Sequence, residues 1–272
     1  MHLATVFFLL VFLVFPVFPV IAHAEGLQSQ LTPGGIFIGQ ASPGSRIVYD
    51  NREVRVARDG RFILGFGRDA HLKQSYTEHF ASGKRKTFYL TLKPRKYNIQ
   101  RLTGIARKYV SPDERVLSRI RREAGQVRDA RVPDTDQEDF FNGFGWPVKG
   151  RISGVYGSQR VYNGKPGRPH YGLDIAVPTG TPVAAPADGV VQLVDSDLYY
   201  SGGTIIIDHG HGIFSSFLHL SQVSVKAGAA IKRGQIIGEV GATGRVTGAH
   251  LDWRYNWFDK RLDPALLTLG DQ

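Results

Sequence analysis

The chain has 272 residues, enough for two modest domains, and an ordinary apolar share of 42%. It contains no cysteine, which excludes disulfides, thiolate metal ligands and a lipid-modified cysteine. A net charge of +10, spread along the chain, predicts acidic partners: an anionic polymer, anionic lipid or nucleic acid.

Residues 3–22 are almost wholly apolar, and Ala22-His23-Ala24 offers a small-x-small cleavage site before Glu25. The stretch 1–24 reads as a secretory signal peptide, cleaved after Ala24, which sends the rest of the chain to the periplasm or outside the cell. The competing reading is an uncleaved membrane anchor, because the run approaches the length of a bilayer span. Pro16, Pro19 and the Ala-x-Ala site favour cleavage.

Residues 25–100 predict a small β-sandwich that serves as an accessory module. Short strand candidates are Gly34–Gly39, Ser45–Tyr49 and Lys86–Leu92. Val54–Arg58 alternates, and Asp59-Gly60 signals a hairpin turn into Arg61–Leu64. His71 and His79 read as solvated loop residues.

Residues 101–145 predict a helix followed by a linker. Ser111-Pro112-Asp113-Glu114 is a capping box with proline at the first helical position. Val116, Leu117, Ile120, Ala124 and Val127 then recur at helical spacing, with Arg115, Arg119, Arg121, Arg122 and Arg128 on the remaining surface. The acidic run Asp134–Asp139 reads as an exposed linker.

Residues 146–272 are rich in short strand candidates punctuated by glycine and show no long helix. The candidates are 151–156, 173–177, 189–194, 204–208, 212–219, 223–225, 236–240 and 250–255. Sheet packed on sheet, or a flattened barrel, follows. The chain as a whole is therefore expected to be predominantly all-β.

Three segments of this last part carry imidazoles and carboxylates. They are His170–Asp174, Phe217–Ser221 with His219, and Thr247–Trp253 with His250 and Asp252. On a strand, residues two apart share a face, so His250 and Asp252 look the same way while Leu251 turns into a core. His170 and Asp174 share a side if extended, and Pro169 and Gly172 argue against a helix there. Such a cluster suits a catalytic zinc, which needs a few N or O ligands and one open position. His209 and His211 have a ligand-like spacing, but their glycines make them a turn at a groove rim, with metal binding not expected. Trp253, Tyr255 and Trp257 read as core or groove-wall aromatics. Arg160 and Asn163, in the Gly-rich loop before His170, are candidate substrate contacts.

The H-x-x-x-D at 170–174, the His219-Leu220-Ser221 segment and T-G-x-H-L at 247–251 resemble the lysostaphin-type zinc metallopeptidases that cut peptidoglycan cross-bridges. The resemblance covers about residues 146–265. It implies a predominantly antiparallel β-domain whose groove carries one zinc. It assigns His170 and Asp174 as metal ligands, and His219 and His250 as catalytic histidines. The family's last motif is usually H-x-H, and this chain has Asp252 at the second, ligand position. An Asp oxygen and a His Nδ1 both lie two bonds beyond Cβ, and Zn–O and Zn–N distances are similar, so Asp252 is expected to ligate. The exchange adds a negative charge, which weakens the Lewis acid and favours harder metals somewhat.

The resulting expectation is a secreted metal-dependent endopeptidase. It would cleave amides of peptidoglycan stems or cross-bridges with metal-activated water, assisted by His219 and His250. The alternative is a catalytically inactive wall binder, or an activator of a separate amidase. Peptidoglycan is the expected partner. Nucleic-acid binding is not expected, and membrane contact is expected only through an uncleaved leader.

Overall fold

A computed structural model describes residues 26–102 and 114–270. The expected leader and the capping residues Ser111–Asp113 lie outside the described residues. No helix among the described residues is long and apolar enough to cross a membrane.

Among the described residues, seven strands precede the helix: β1 (Ile36–Gln40), β2 (Arg46–Tyr49), β3 (Arg52–Val54), β4 (Arg61–Gly65), β5 (Lys73–His79), β6 (Arg85–Thr91) and β7 (Ile99–Leu102). β1 pairs with β4, and a second sheet has the order β3-β2-β5-β6. The two sheets meet through aromatic rings. Tyr76 of β5 lies 5.2 Å from Phe62 and 5.8 Å from Phe37, centroid to centroid.

Two details differ from the expectation. β5 had no apolar alternation to reveal it, because one of its inward residues is Glu78. That carboxylate is buried and accepts hydrogen bonds from the Ser42 amide and the Ser45 hydroxyl, both at 2.7 Å. His79 therefore ends a strand and does not sit in a loop. The Asp59-Gly60 turn forms, but its arms are linked by no more than the bridge Val56–Phe62 and the bond from the Ala57 amide to the Arg61 carbonyl, 2.7 Å, among the described residues. β3 instead folds back on β2 through Asp50-Asn51, whose φ values of 49° and 60° make the tight hairpin turn of the kind that demands two left-handed residues.

The helix α1 (Glu114–Asp129) matches the sequence periodicity. Its docking is polar, however. Glu123 is its buried residue, taking the Arg119 Nε at 2.5 Å and the Tyr199 amide at 2.8 Å, while Ala124 is exposed. The acidic stretch after it is not an exposed linker. Asp134 pairs with Arg55 at 2.9 Å, Thr135 donates to Asp208 at 2.9 Å, and the His211 amide donates to the Thr135 carbonyl at 2.9 Å. A 3-10 turn, Asp139–Asn142, then buries Phe140 and Phe141. Two adjacent phenylalanines need a core, and basic partners neutralise the acids around them, so the segment is strapped down.

The rest comprises β8 (Arg151–Gly154), β9 (Gln159–Tyr162), β10 (Lys165–Pro166), β11 (Leu173–Ala176), β12 (Pro182–Ala184), β13 (Gly189–Leu198), β14 (Gly202–Gly210), β15 (Ile213–Val223), β16 (Ala230–Ile231), β17 (Ile236–Val240), β18 (Leu251–Trp257), β19 (Lys260–Leu262) and the single turn α2 (Pro264–Leu267). The main sheet runs β16-β13-β14-β15-β18-β11-β8 with antiparallel pairing, and β12, β17 and β19 attach to it. It is open-edged and does not close into a barrel. β9 pairs with β10 and, in parallel, with β7.

β18 sets the two faces of this sheet. Leu251, Trp253, Tyr255 and Trp257 are buried in a single core cluster that runs from Leu27 to Leu267 and so joins both β units. Asp252, Arg254 and Asn256 alternate onto the other face. Tyr49 reaches Trp257 at 5.7 Å, and a Cβ on Gly65 would lie 2.4 Å from the Trp257 Cβ, so the two units pack in direct contact.

His209 and His211 are not at a rim. His209 is fully buried on β14, its ring held between the Asp188 carbonyl and the Ser215 hydroxyl, both at 2.7 Å. His211 lies buried against Phe140 and Phe141. Burial pushes the His209 imidazole from 6.5 down to about 4. The folded state thus keeps this ring neutral while the unfolded chain takes up a proton near 6.5. Its stabilising contribution is complete above that pH and is lost as pH falls toward 4, by about 3 kcal/mol. Denaturant unfolding at pH 7.5 and 4.5 is expected to show this loss in the wild type and a smaller one in His209→Gln. Equal losses in the two proteins would refute it.

Candidate active site

β11, β15 and β18 are neighbours, and their register brings the three sequence segments together. Asp174 on β11 stands directly opposite Asp252 on β18, and Leu218 on β15 stands on the other side of Asp252. His170 is fixed just before β11 by two backbone bonds, its amide to the Ser158 carbonyl and its carbonyl to the Gly157 amide, both 2.8 Å. Two glycines leave room for the carboxylates. A Cβ on Gly154 would lie 2.1 Å from Asp174 Oδ2, and one on Gly172 would lie 2.6 Å from Asp252 Oδ1.

One ligand atom each from His170, Asp174 and Asp252 falls within 4.8 Å of the others. His170 Nε2 and Asp174 Oδ1 are 3.2 Å apart, both buried, and neither makes a hydrogen bond among the described residues. Ligands of a tetrahedral zinc with bonds of ~2.1 Å stand about 3.4 Å from each other. Two orphaned donors at this separation fit the edge of such a coordination shell, and the residues present fit a divalent ion.

Asp252 is 3% exposed and has a partner that was missed from the sequence. Arg254 Nε donates to its Oδ1 at 2.8 Å, and Arg254 Nη2 donates to its Oδ2. Burial by itself would raise this carboxyl, but the charge and hydrogen bonds of Arg254 more than reverse that and hold it at about 2. Asp252 is therefore a carboxylate at every physiological pH, and each oxygen keeps a second lone pair for a metal. The signal was present in the sequence: Arg254 follows Asp252 by two residues, hence on the same strand face.

The two remaining histidines face one another with ring centroids 4.9 Å apart. His219 has φ of 66°, a left-handed conformation that is strained for a non-glycine residue and that aims its ring into the site. Its Nδ1 lies 2.9 Å from the Thr243 carbonyl, and His250 Nδ1 lies 2.9 Å from the Gly248 carbonyl. A carbonyl only accepts, so in each ring Nδ1–H donates and the neutral form presents Nε2 as a free base. His219 Nε2 is 4.0 Å from Asp252 Oδ2, and His250 Nε2 is 3.8 Å from Asp174 Oδ1. Burial holds the His219 imidazole below its ordinary value, with the Asp252 charge opposing, which keeps it neutral near pH 7.

Arg160 and Asn163 sit on the β9–β10 hairpin. The Arg160 Nε donates to Gln100 Oε1 at 3.2 Å, tying the hairpin to β7, and Asn163 occupies the turn with φ of 49°. Trp253, Tyr255 and Trp257 are core residues and form no sugar platform.

The model of peptidase family M23 matches residues 168–264, which contain every residue of the cluster. The peptidoglycan DD-endopeptidase ShyA of Vibrio cholerae is 43% identical over 111 residues, 40% of this chain and 26% of that protein. The DD-carboxypeptidase/endopeptidase Mpg of Neisseria meningitidis is 38% identical over 102 residues, 38% of this chain and 23% of that protein. The chain thus spans about a quarter of the length of these curated relatives. A crystal structure from Pseudomonas aeruginosa, described as a peptidase of M23 type, superposes with a TM-score of 0.72 at 30% identity, covering 90% of this chain and 98% of that one.

Proposed function

The chain belongs to peptidase family M23, and from that premise we propose that it is a metal-dependent endopeptidase that cleaves amide bonds in peptidoglycan peptides. The observation that carries the reading is the pair of orphaned ligand atoms, His170 Nε2 and Asp174 Oδ1, facing the Asp252 carboxylate. His170, Asp174 and Asp252 would hold one divalent ion, and one imidazole with two carboxylates fits zinc while also admitting harder ions. Such an ion, when bound, polarises the scissile carbonyl and lowers the pKa of water. His219, neutral and buried, accepts the proton of the attacking water at Nε2. His250, at the more open side, donates to the oxyanion or the leaving amine from Nε2–H, as the imidazolium, while Nδ1–H stays on the Gly248 carbonyl. Arg254 fixes the Asp252 carboxylate in rotation and offsets the charge that aspartate adds where the family usually has histidine. The substrate implies a location outside the cytoplasmic membrane, in keeping with the export signal read from the sequence.

A second reading rests on the Arg254 fork. If the guanidinium holds the Asp252 carboxylate turned away from His170 and Asp174, no third ligand remains and the protein is a wall binder. Incubating the full chain with peptidoglycan, with and without a chelator, separates the two. Release of uncross-linked peptides that stops on chelation and returns with zinc is the expected result. Retention on the wall without any cleaved product would overturn the hydrolase reading.

A further inference from the structure

Three arginines from separate segments gather on the same sheet face as the metal ligands. Arg254 lies two residues beyond Asp252 on β18. Asn256, two further on, accepts from Arg261 Nη1 at 3.0 Å. Ser216, opposite Arg254 on β15, accepts from Arg131 Nη2 at 3.0 Å, and Arg131 arrives from the segment just after α1. Asp252 satisfies Arg254 but no hydrogen bond or ion pair joins it to the other two among the described residues. Arg131 Nε is buried without a hydrogen-bond partner among the described residues. Burial, then the charges of Arg261 and Arg254, push the Arg131 guanidinium well below the usual arginine range. Burial, with Arg254 and Arg168, likewise brings Arg261 to about 10.

Buried positive charge without a counter-charge is costly, and a guanidinium fork is shaped to take a carboxylate in two parallel bonds. The surroundings leave space for one. Tyr171, adjacent to His170 in the chain, has its ring 6.0 Å from the Arg261 guanidinium. Both residues, though not Arg131, line a cleft of about 810 Å³ shared with Tyr49, Arg68 and Lys73 of the N-terminal sandwich and with Asp50, Asp69 and Asp259.

We propose that Arg131 and Arg261 form a carboxylate subsite beside the metal centre, which binds a free carboxylate of the substrate peptide and so selects the amide that is presented for cleavage. This rests on the peptidase reading above for its substrate class. The carboxylate is either the terminal one of a stem peptide or one on a side chain, and the recognition chemistry is the same.

Calorimetry on the full chain tests the subsite without requiring turnover. Two pairs of synthetic stem peptides are compared, one with the terminal carboxylate free or amidated, the other with a side-chain carboxylate free or amidated. Amidation in one pair is expected to weaken wild-type binding by about 10–100-fold, and that pair identifies the carboxylate. In Arg261→Gln and Arg131→Gln the penalty is expected to shrink below about 3-fold, with Arg261→Lys intermediate. If the Arg131 variant fails to fold, the Arg261 pair carries the test alone. Equal affinity for acid and amide in both pairs, or an undiminished preference in Arg261→Gln, overturns the proposal. A protein that binds with this preference but cuts nothing would refute the peptidase reading and leave the subsite standing.

Discussion

His219→Ala is expected to lower the rate of peptide hydrolysis by about 10²–10⁴-fold, the range for loss of a positioned general base, while bound metal stays at the wild-type level. The geometry separates base from ligand here. His219 Nε2 stands 4.0 Å from the nearer Asp252 oxygen and is absent from the three-atom cluster that gathers His170, Asp174 and Asp252. Its left-handed backbone and the Thr243 carbonyl on Nδ1 fix the ring, so alanine removes the base and leaves the metal pocket as it was. Metal analysis of the purified variant beside its turnover decides the matter. Metal lost in step with activity would reassign His219 as a ligand, and full activity would remove it from the chemistry.

The second large effect concerns Asp252. Asp252→Ala is expected to abolish stoichiometric metal binding, because two ligands do not hold a catalytic zinc. The same change strands Arg254 in a mostly buried position and is expected to cost about 3 kcal/mol of stability, the lower end for breaking a buried ion pair. Asp252→His returns the residue usual in the family and is expected to keep the metal while still destabilising, since Arg254 then faces an imidazole in place of a carboxylate. Native mass spectrometry reports the metal, and urea unfolding reports the stability. An alanine variant that still binds one zinc would remove Asp252 from the ligand set. A histidine variant as stable as wild type would mean that the Arg254 fork contributes little.

The site was readable in the sequence to the extent that strand geometry controls it. H-x-x-x-D and H-x-D fix which side chains share a face, and the resemblance supplied the pairing that strands alone leave open. Asp252 as a candidate replacement followed from atom counting along the side chain. Arg254 was equally accessible, two residues on along the same strand, but arginine in a basic chain carries little signal until its partner is known. β5 escaped because Glu78 takes an inward position that hydrophobic patterning assigns to apolar residues.

What the sequence determined by itself was local: the strand and helix periods, the absence of cysteine chemistry, and which imidazoles and carboxylates are candidates for ligand and base. What only the tertiary structure decided depended on contacts across long separations. The acidic segment 134–139 looked solvated because its charges are visible and its partners, Arg55, Asp208 and Arg233, are distant in sequence. Arg131 and Arg261 reach the same sheet face from segments far apart in the chain, and His209 and His211 turn inward because Phe140, Phe144 and Ser215 close over them. Burial and charge compensation are sums over neighbours, and the neighbours are chosen by the sheet order, which no single stretch of this chain encodes.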